Sequence, residues 1–304
     1  MKAKSSRLGM ELSNSKLVRA SNLHFMLYFL INKVMPKILW RRYVQSCSNL
    51  EESIFILSFD CDTELDIEVL PGVIKQLRDI GIQPVLAVPG ELIKKGADLY
   101  LSLAKAGIEF MNHGYVQHTQ LELPERIYVS NFFYHSLTRT EIRNDIILGH
   151  KSIQEILGVI PIGFRTPHFG SFQKKSQLKF LWKLLKELGY GYSTSTTPVV
   201  GIQKGPYFKT DVLEFPVTGC PSWPIKVLDS WGFAFAPSRE VTKADYLDQI
   251  SLMYKEIKDG HNLLINIYAD PSQVYDWPEF FEALQKLAPY NVGRYSEIMD
   301  TVGR

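Results

Sequence analysis

The stretch from Phe55 to Glu64, FILSFDCDTE, constrains the fold of this 304-residue chain more than any other. Its apolar half is typical of a buried strand in an α/β protein, and carboxylates follow where the strand ends. Alternation along an extended chain places the side chains of Asp60 and Asp62 on the same side. Two neighbouring carboxylates repel each other unless a cation or a shared proton relieves them, so the pattern favours a metal site.

The rest of the chain alternates between predicted strands and helices. About seven strands separated by helices predict a parallel sheet, either open or closed into a barrel. The polar residues of interest follow strand ends, which suits a (β/α) barrel with its site on one face. The predicted strands are 54–60, 83–88, 108–112, 159–164, 190–193, 212–217 and 263–268, and the predicted helices are 67–80, 91–106, 138–157, 178–188, 243–259 and 278–287.

Composition narrows the class of protein. Apolar residues make up 45% of the chain, enough for a full core, and the net charge of +2 gives no case for nucleic acid as a partner. The three cysteines form no paired motif, which fits a reducing compartment. No secretory signal pattern is evident at the N-terminus, so we expect a cytoplasmic protein.

The charge is concentrated at the N-terminus. Residues 1–50 hold nine Lys or Arg against the single acid Glu11, so this segment is +8 and the remainder is −6. We predict two regions, a basic and partly apolar extension over 1–50 and one catalytic domain over 51–304. Residues 1–22 are expected to form a mobile tail.

Residues 23–43 allow two interpretations. One is a helix lying on a membrane surface at the inner face, with aromatic side chains towards the lipid and basic ones above. The other is a helix packed on the protein's own domain. Polar and charged residues interrupt the segment too often for it to span a bilayer. The aromatic residues concerned are Phe25, Tyr28, Phe29 and Trp40.

Three residues make a plausible metal-ligand set: Asp62, His113 and His118. Two imidazoles and one carboxylate leave positions for water and substrate, as in hydrolytic metal sites. Asp60 lies beside this set and can act as general base. Arg165 follows another strand and can pair with Asp60, orienting it and keeping it ionised.

At these residues the chain resembles the polysaccharide deacetylases, the NodB-homology group of carbohydrate esterases. The resemblance covers about residues 52–300. Three segments carry it, in order: SFDCD at 58–62, NHGY…H at 112–118, and GFRTPH at 163–168.

The resemblance implies a distorted (β/α) barrel and metal-dependent hydrolysis of an N-acyl amino sugar, with Zn²⁺ as the expected ion. It assigns the base to Asp60, its support to Arg165, and metal ligation to Asp62, His113 and His118. Residues expected to contact substrate are Trp231, Pro167 and Tyr115.

The sequence departs from the family pattern at three places. Four residues instead of the usual three separate His113 from His118. His168 stands where the third motif usually has a tyrosine. The late histidine that protonates the leaving amine is replaced by Tyr268, so we expect His168 or Tyr268 to take that role.

The function predicted is therefore removal of an acetyl or formyl group from an amino sugar of a polysaccharide or of a lipid-linked glycan precursor. Two alternatives remain open at this point. One is a catalytically degenerate protein that keeps the fold for sugar binding or as a scaffold. The other is a hydrolase of a non-sugar C–N bond.

Overall fold

The computed structural model describes residues 23–168, 170–209, 211–236 and 241–302. The predicted tail over 1–22 lies outside the described residues. The fold is built on one eight-stranded sheet with helices packed around it.

Seven strands of the sheet are parallel, and they are the seven predicted from the sequence. The strands of the sheet are β1 Ile54–Asp60, β2 Val85–Val88, β3 Phe110–Asn112, β6 Gly163–Phe164, β7 Tyr192–Ser193, β8 Tyr207–Lys209, β9 Val212–Glu214 and β12 Leu264–Ala269. The spatial order of the parallel strands is β12-β1-β2-β3-β6-β7-β9, and the antiparallel strand β8 pairs with β9 at one edge.

The helices confirm the βα alternation, with some bounds corrected. The predicted helix over 91–106 is two helices that meet at Gly96. Three short helices at 198–204, 271–274 and 299–302 were not predicted. The helix bounds are α1 Leu23–Val34, α2 Pro36–Ser46, α3 Glu64–Asp79, α4 Gly90–Lys95, α5 Ala97–Lys105, α6 Arg139–Leu157, α7 Lys175–Glu187, α8 Pro198–Lys204, α9 Lys243–Lys258, α10 Pro271–Val274, α11 Pro278–Gln285 and α12 Met299–Val302.

Two segments outside the predicted strands and helices contain hairpins. The segment 114–137 holds the pair β4 Thr119–Glu122 and β5 Ile127–Ser130, and the segment after β9 holds the pair β10 Gly219–Cys220 and β11 Trp223–Val227. These strands are short and mix polar with apolar residues, so periodicity does not reveal them.

The sheet curls until its two ends meet. The N–H of Thr218 donates to the carbonyl of Asn266 at 2.8 Å, and the Asn266 amide donates to the carbonyls of Phe215 and Pro216. These bonds join the segment after β9 to β12. The curled sheet with its outer helices is a distorted (β/α) barrel, as predicted. All seven residues of β1 are buried at its centre.

Helices α1 and α2 pack across this junction. Tyr43 donates a hydrogen bond to the carbonyl of Leu264, and its hydroxyl lies 3.1 Å from that of Thr218. Trp40 Nε1 donates to Glu256 Oε1 at 3.0 Å. Tyr28 and Trp40 are therefore buried against the protein itself, contrary to the interpretation that turned them towards lipid.

Candidate metal centre

The parallel sheet brings the predicted site residues together because its strands end at one edge. Asp60 is the last residue of β1, and its register partner on β2 is Ala87. His113 follows β3, and Arg165 follows the neighbouring β6, where Asn112 pairs with Phe164. Chemistry gathers at this edge in α/β barrels.

The three predicted ligands face one another. His118 Nε2 lies 3.0 Å from Asp62 Oδ1, and His113 Nε2 lies 3.5 Å from the same oxygen. With ligand bonds of about 2.0–2.2 Å, two ligands of a tetrahedral ion are about 3.3–3.6 Å apart. The three atoms thus have the spacing of one coordination shell, and all lie within 4.8 Å of one another.

Hydrogen bonds on the outer side of each ring leave the inner nitrogens available. His113 Nδ1 donates to the carbonyl of Arg165 at 2.9 Å, and His118 Nδ1 donates to the carbonyl of Val116 at 3.3 Å. A carbonyl only accepts, so each Nδ1 carries the hydrogen and each Nε2 presents a lone pair. Metal-binding histidines are held in this way.

Two buried atoms of this cluster, Asp62 Oδ1 and His118 Nε2, have no hydrogen-bond partner outside the cluster. A buried polar atom without a partner is unusual, and a cation between these two would satisfy both. Two imidazoles and one carboxylate suit Zn²⁺ and leave a coordination position open. The residues present therefore fit the divalent ion predicted from the sequence.

The charges of the cluster support one another. Burial raises the pKa of Asp62, but the adjacent His118 and His113 imidazoles outweigh burial and hold that pKa below its usual value. Burial lowers the pKa of His118, yet the Asp62 carboxylate leaves it raised overall. The pKa of His113 is lowered, chiefly by burial. Asp62 is thus ionised at neutral pH, as a metal ligand must be.

Asp60 lies beside the ligands and is held by Arg165. Arg165 Nη1 donates to Asp60 Oδ1 at 2.7 Å, and Asp60 Oδ2 lies 3.8 Å from His113 Nε2. Burial acts to lower the pKa of Arg165, but Asp60 outweighs it and the net shift is upward. Arg165 also donates to Thr194 Oγ1 at 3.2 Å and stacks on the Tyr268 ring at 5.1 Å.

The extra residue between the histidines is absorbed by a loop with its own anchors. Asp145 Oδ1 on α6 accepts the N–H of Val116 at 2.9 Å, and Glu91 Oε2 on α4 accepts the N–H of Gln117 at 2.7 Å. Gly114 has φ +81°, and a Cβ there would lie 2.3 Å from Asp145 Oδ2. The loop therefore turns tightly against α6, and His118 reaches Asp62 despite the wider spacing.

A buried carboxylate fixes the other ligand. Asp66 Oδ2 accepts the N–H groups of Asp62 and Thr63 at 3.0 and 2.8 Å, and its Oδ1 accepts the N–H of Ser272 at 2.7 Å. Burial raises the pKa of Asp66 to about 6, against the effect of these bonds. Asp66 thus holds the backbone of Asp62 at the start of α3.

His168 and Tyr268, the two expected proton donors, both lie at this site. The His168 ring contacts the His118 ring at 4.9 Å, and its Nε2 donates to the His118 carbonyl at 2.9 Å. Burial, with the His118 charge, lowers the pKa of His168 to about 3. Tyr268 donates to Asp229 Oδ2 at 3.1 Å, and burial and that carboxylate raise its pKa well above 10.

The predicted substrate-contacting residues differ in their surroundings. Trp231 is half-buried and opens a π-helical turn two residues after Asp229, the partner of Tyr268. Pro167 is buried in the third motif. The Tyr115 hydroxyl accepts a hydrogen bond from Lys94 Nζ at 3.0 Å. The contacts of Tyr115 are thus with helix α4.

Two residues that position the ligands, Asp66 and Asp145, were not predicted from the sequence. Each left a signal. Asp66 is the third residue after Thr63, the spacing of a helix-capping pair just beyond the Asp-x-Asp motif. Asp145 lies on the apolar face of the helix predicted over 138–157, between Ile142 and Ile146, where a carboxylate needs a reason to be buried.

Comparison with known proteins gives the family. Residues 48–193 match the family described as polysaccharide deacetylase. No curated protein matches the sequence. The resemblance to the polysaccharide deacetylases predicted from the motifs is confirmed, and the match covers 146 residues, just under half of the chain.

Solved structures share the fold. A presumed polysaccharide deacetylase from Mycobacterium smegmatis has a TM-score of 0.63 at 18% identity, over 84% of this chain and 91% of that chain. Puue allantoinase has a TM-score of 0.57 at 13% identity, over 83% of this chain and 90% of that chain. BA3943 from Bacillus anthracis, a pseudoenzyme of carbohydrate esterase family 4, has a TM-score of 0.50 at 14% identity, over 82% of this chain and 66% of that chain. At these identities the likeness establishes the fold alone.

Proposed function

We propose that this protein is a metal-dependent hydrolase that removes an acetyl or formyl group from an amino sugar. One observation carries the proposal: His118 Nε2 and Asp62 Oδ1 are buried 3.0 Å apart with no hydrogen-bond partner outside the cluster, and His113 Nε2 lies 3.5 Å from the same oxygen. Zn²⁺ is the ion we propose for this set of donors.

The roles of the side chains follow from their contacts. Asp62, His113 and His118 would hold the ion, which when bound would polarise the acyl carbonyl and make a water more acidic. Asp60 takes the proton of that water at Oδ2, because Oδ1 is bonded to Arg165. Arg165 orients the Asp60 carboxylate through the hydrogen bond from Nη1 to Oδ1.

The leaving amine needs a proton, and the assignment of this step to His168 or Tyr268 stays a prediction. Both are poor acids here, since His168 is neutral with Nε2–H bonded to a carbonyl, and Tyr268 has a raised pKa. Asp60 lies in the same site and holds the proton that it takes from water. We propose that Asp60 returns the proton it took from water.

The substrate is an N-acyl amino sugar of a polysaccharide or of a lipid-linked glycan precursor. The family supports the polysaccharide, and the +8 charge of residues 1–50 supports a precursor at a membrane. We place the reaction in the cytoplasm, at the inner face of the membrane.

The wider histidine spacing is the main argument for the degenerate alternative. The bonds from Asp145 and Glu91 to the 113–118 loop weaken that argument, because they hold His118 beside Asp62. Hydrolysis of a non-sugar C–N bond uses the same groups, and only product analysis separates it from the sugar reaction.

The test is a substrate panel offered to zinc-loaded protein, with acetate and formate measured. The panel contains N-acetylglucosamine oligomers, formamido sugars, and linear and cyclic amides. We expect acetate or formate to be released from an amino sugar, and we expect a chelator to abolish this release. Release from amides alone would redirect the proposal to non-sugar substrates, and no release from any of them would support a binding protein.

A further inference from the structure

An apolar patch lies on the outer face of helices α1 and α2. Thirteen large apolar side chains are exposed among the described residues, and five of them fall within ten consecutive positions. Their exposed fractions run from 49% to 72%. Contiguous exposed apolar surface marks an interaction site more often than scattered residues do. The patch consists of Phe29, Leu30, Val34, Met35 and Ile38.

The opposite face of the same helices fixes the patch in place. Leu39, Trp40 and Tyr43 are buried, and Asn32 Oδ1 accepts the N–H of Ile225 on β11 at 3.3 Å. Pro36 begins α2, so the chain bends between the helices. The patch therefore points outward from a packed support, and the apolar residues in it are not needed to bury that support.

Basic side chains border the patch, and no acidic residue lies between positions 12 and 50. The four cations at 33–42 are all exposed. Their charge lies on a chain whose residues 51–304 are −6, so the positive charge is local to this end. These cations are Lys33, Lys37, Arg41 and Arg42.

We propose that this face of α1 and α2 binds the surface of an anionic bilayer. The apolar patch enters the boundary between headgroups and acyl chains, and the basic side chains meet lipid phosphates, as in interfacial amphipathic helices. Each basic residue beside an anionic leaflet adds roughly a fivefold gain in binding. Among the described residues, no helix has the length and apolar character to span a membrane.

A second copy of the chain fits this face less well. A two-fold interface would place the four cations of one patch against the same four of the other. No acid in the segment would neutralise them. A bilayer with anionic headgroups supplies the opposite charge. The inference supplies a binding surface for the membrane location in the proposed function, and it is independent of the hydrolytic reaction, since no patch residue belongs to the metal centre.

The experiment is co-sedimentation of the full-length protein with phosphatidylcholine vesicles, with or without phosphatidylglycerol. We expect binding that requires phosphatidylglycerol and weakens with salt. The variant Val34→Asp with Ile38→Asp should bind about tenfold more weakly or less. The matched control is Leu148→Asp with Ile160→Asp, two positions that are 46% and 67% exposed elsewhere on the surface. It should bind like the wild type.

Circular dichroism of each variant checks the fold, and hydrolysis of a soluble N-acyl amino sugar should be the same in all of them. A folded wild-type protein that ignores anionic vesicles would overturn the inference. Equal losses in the patch variant and the control would do the same. So would self-association that depends on Val34 and Ile38 without vesicle binding. Each of these results would remove the support for a membrane location and leave the proposed hydrolytic reaction untouched.

Discussion

Arg165 donates from Nη1 to Oδ1 of Asp60 at 2.7 Å, and both side chains are buried. The bond decides which oxygen of Asp60 remains for chemistry. Oδ2 is left facing His113, one of the three candidate ligands. Because the carbonyl of Arg165 also accepts from His113 Nδ1, a single residue orients both the base and a ligand.

Replacing Arg165 with Met should destabilise the protein strongly. Asp60 would become a buried carboxylate without a partner, a change that typically costs about 3–5 kcal/mol. Urea unfolding measures the effect. The control is Arg143→Met, which removes an exposed pair with Glu187 and should cost about 1 kcal/mol or less. Similar losses in the two variants would mean that the buried pair has no special role in stability.

Asp60→Asn should remove catalysis and leave metal binding intact. General-base catalysis contributes about 10²- to 10⁴-fold in rate, and Asp60 is outside the ligand set. The readouts are turnover and bound zinc on the same sample, with the exposed Asp98→Asn as control. A variant that loses zinc together with activity would show that Asp60 is a ligand.

The sequence predicts the seven parallel strands well because each is a short apolar run followed by a turn or a helix signal. It predicts less of the surroundings. In the hairpin β4–β5 the apolar residues Ile127 and Val129 are exposed, so the alternation of apolar and polar residues does not follow burial. The orientation of Trp40 depends on Glu256, more than two hundred residues away, and no local pattern contains that information.

In the candidate site, too, local features could be predicted from the sequence and long-range contacts could not. The identities of Asp62, His113 and His118 could be predicted because their residue types and strand-end positions are local features. Whether the wider histidine spacing still closes the site could not be predicted. That outcome is set by Asp145 and Glu91, which lie on two helices and reach the loop only in the folded chain.

Asp145→Ala should loosen this loop. The N–H of Val116 and the hydroxyl of Tyr134 would lose their acceptor, at roughly 1–3 kcal/mol for each group left unsatisfied. Supports of this kind typically change metal affinity by about 10- to 100-fold. Zinc titration measures the change, with the exposed Glu155→Ala on the same helix as control. An unchanged zinc affinity would mean that the loop holds its shape without Asp145.

His168 should make the protein sensitive to acid. Its pKa is about 3 in the folded protein and 6.5 in its ordinary state, so between these values only the unfolded chain is protonated. Stability therefore falls as pH decreases from 6.5 towards 3, by up to about 1.4 kcal/mol per pH unit from this group.

The variant His168→Phe should lose that dependence. Unfolding of chelator-treated protein at pH 7, 6, 5 and 4 measures the slope, and His261→Phe, at an exposed histidine, serves as control. The free energy of unfolding should depend less steeply on pH in His168→Phe, by the equivalent of about one bound proton, and should be unchanged in the control. An equal slope in the wild type and in His168→Phe would show that another group is responsible.

We expect Asp62, His113 and His118 to bind one ion together. The zinc content per chain, measured by mass spectrometry after equilibration with Zn²⁺ and gel filtration, is the decisive measurement of this shared site. We expect one zinc per wild-type chain and per His261→Ala chain, and far less in Asp62→Ala and His118→Ala. A folded wild-type protein without zinc, or full zinc retained by His118→Ala, would contradict the account.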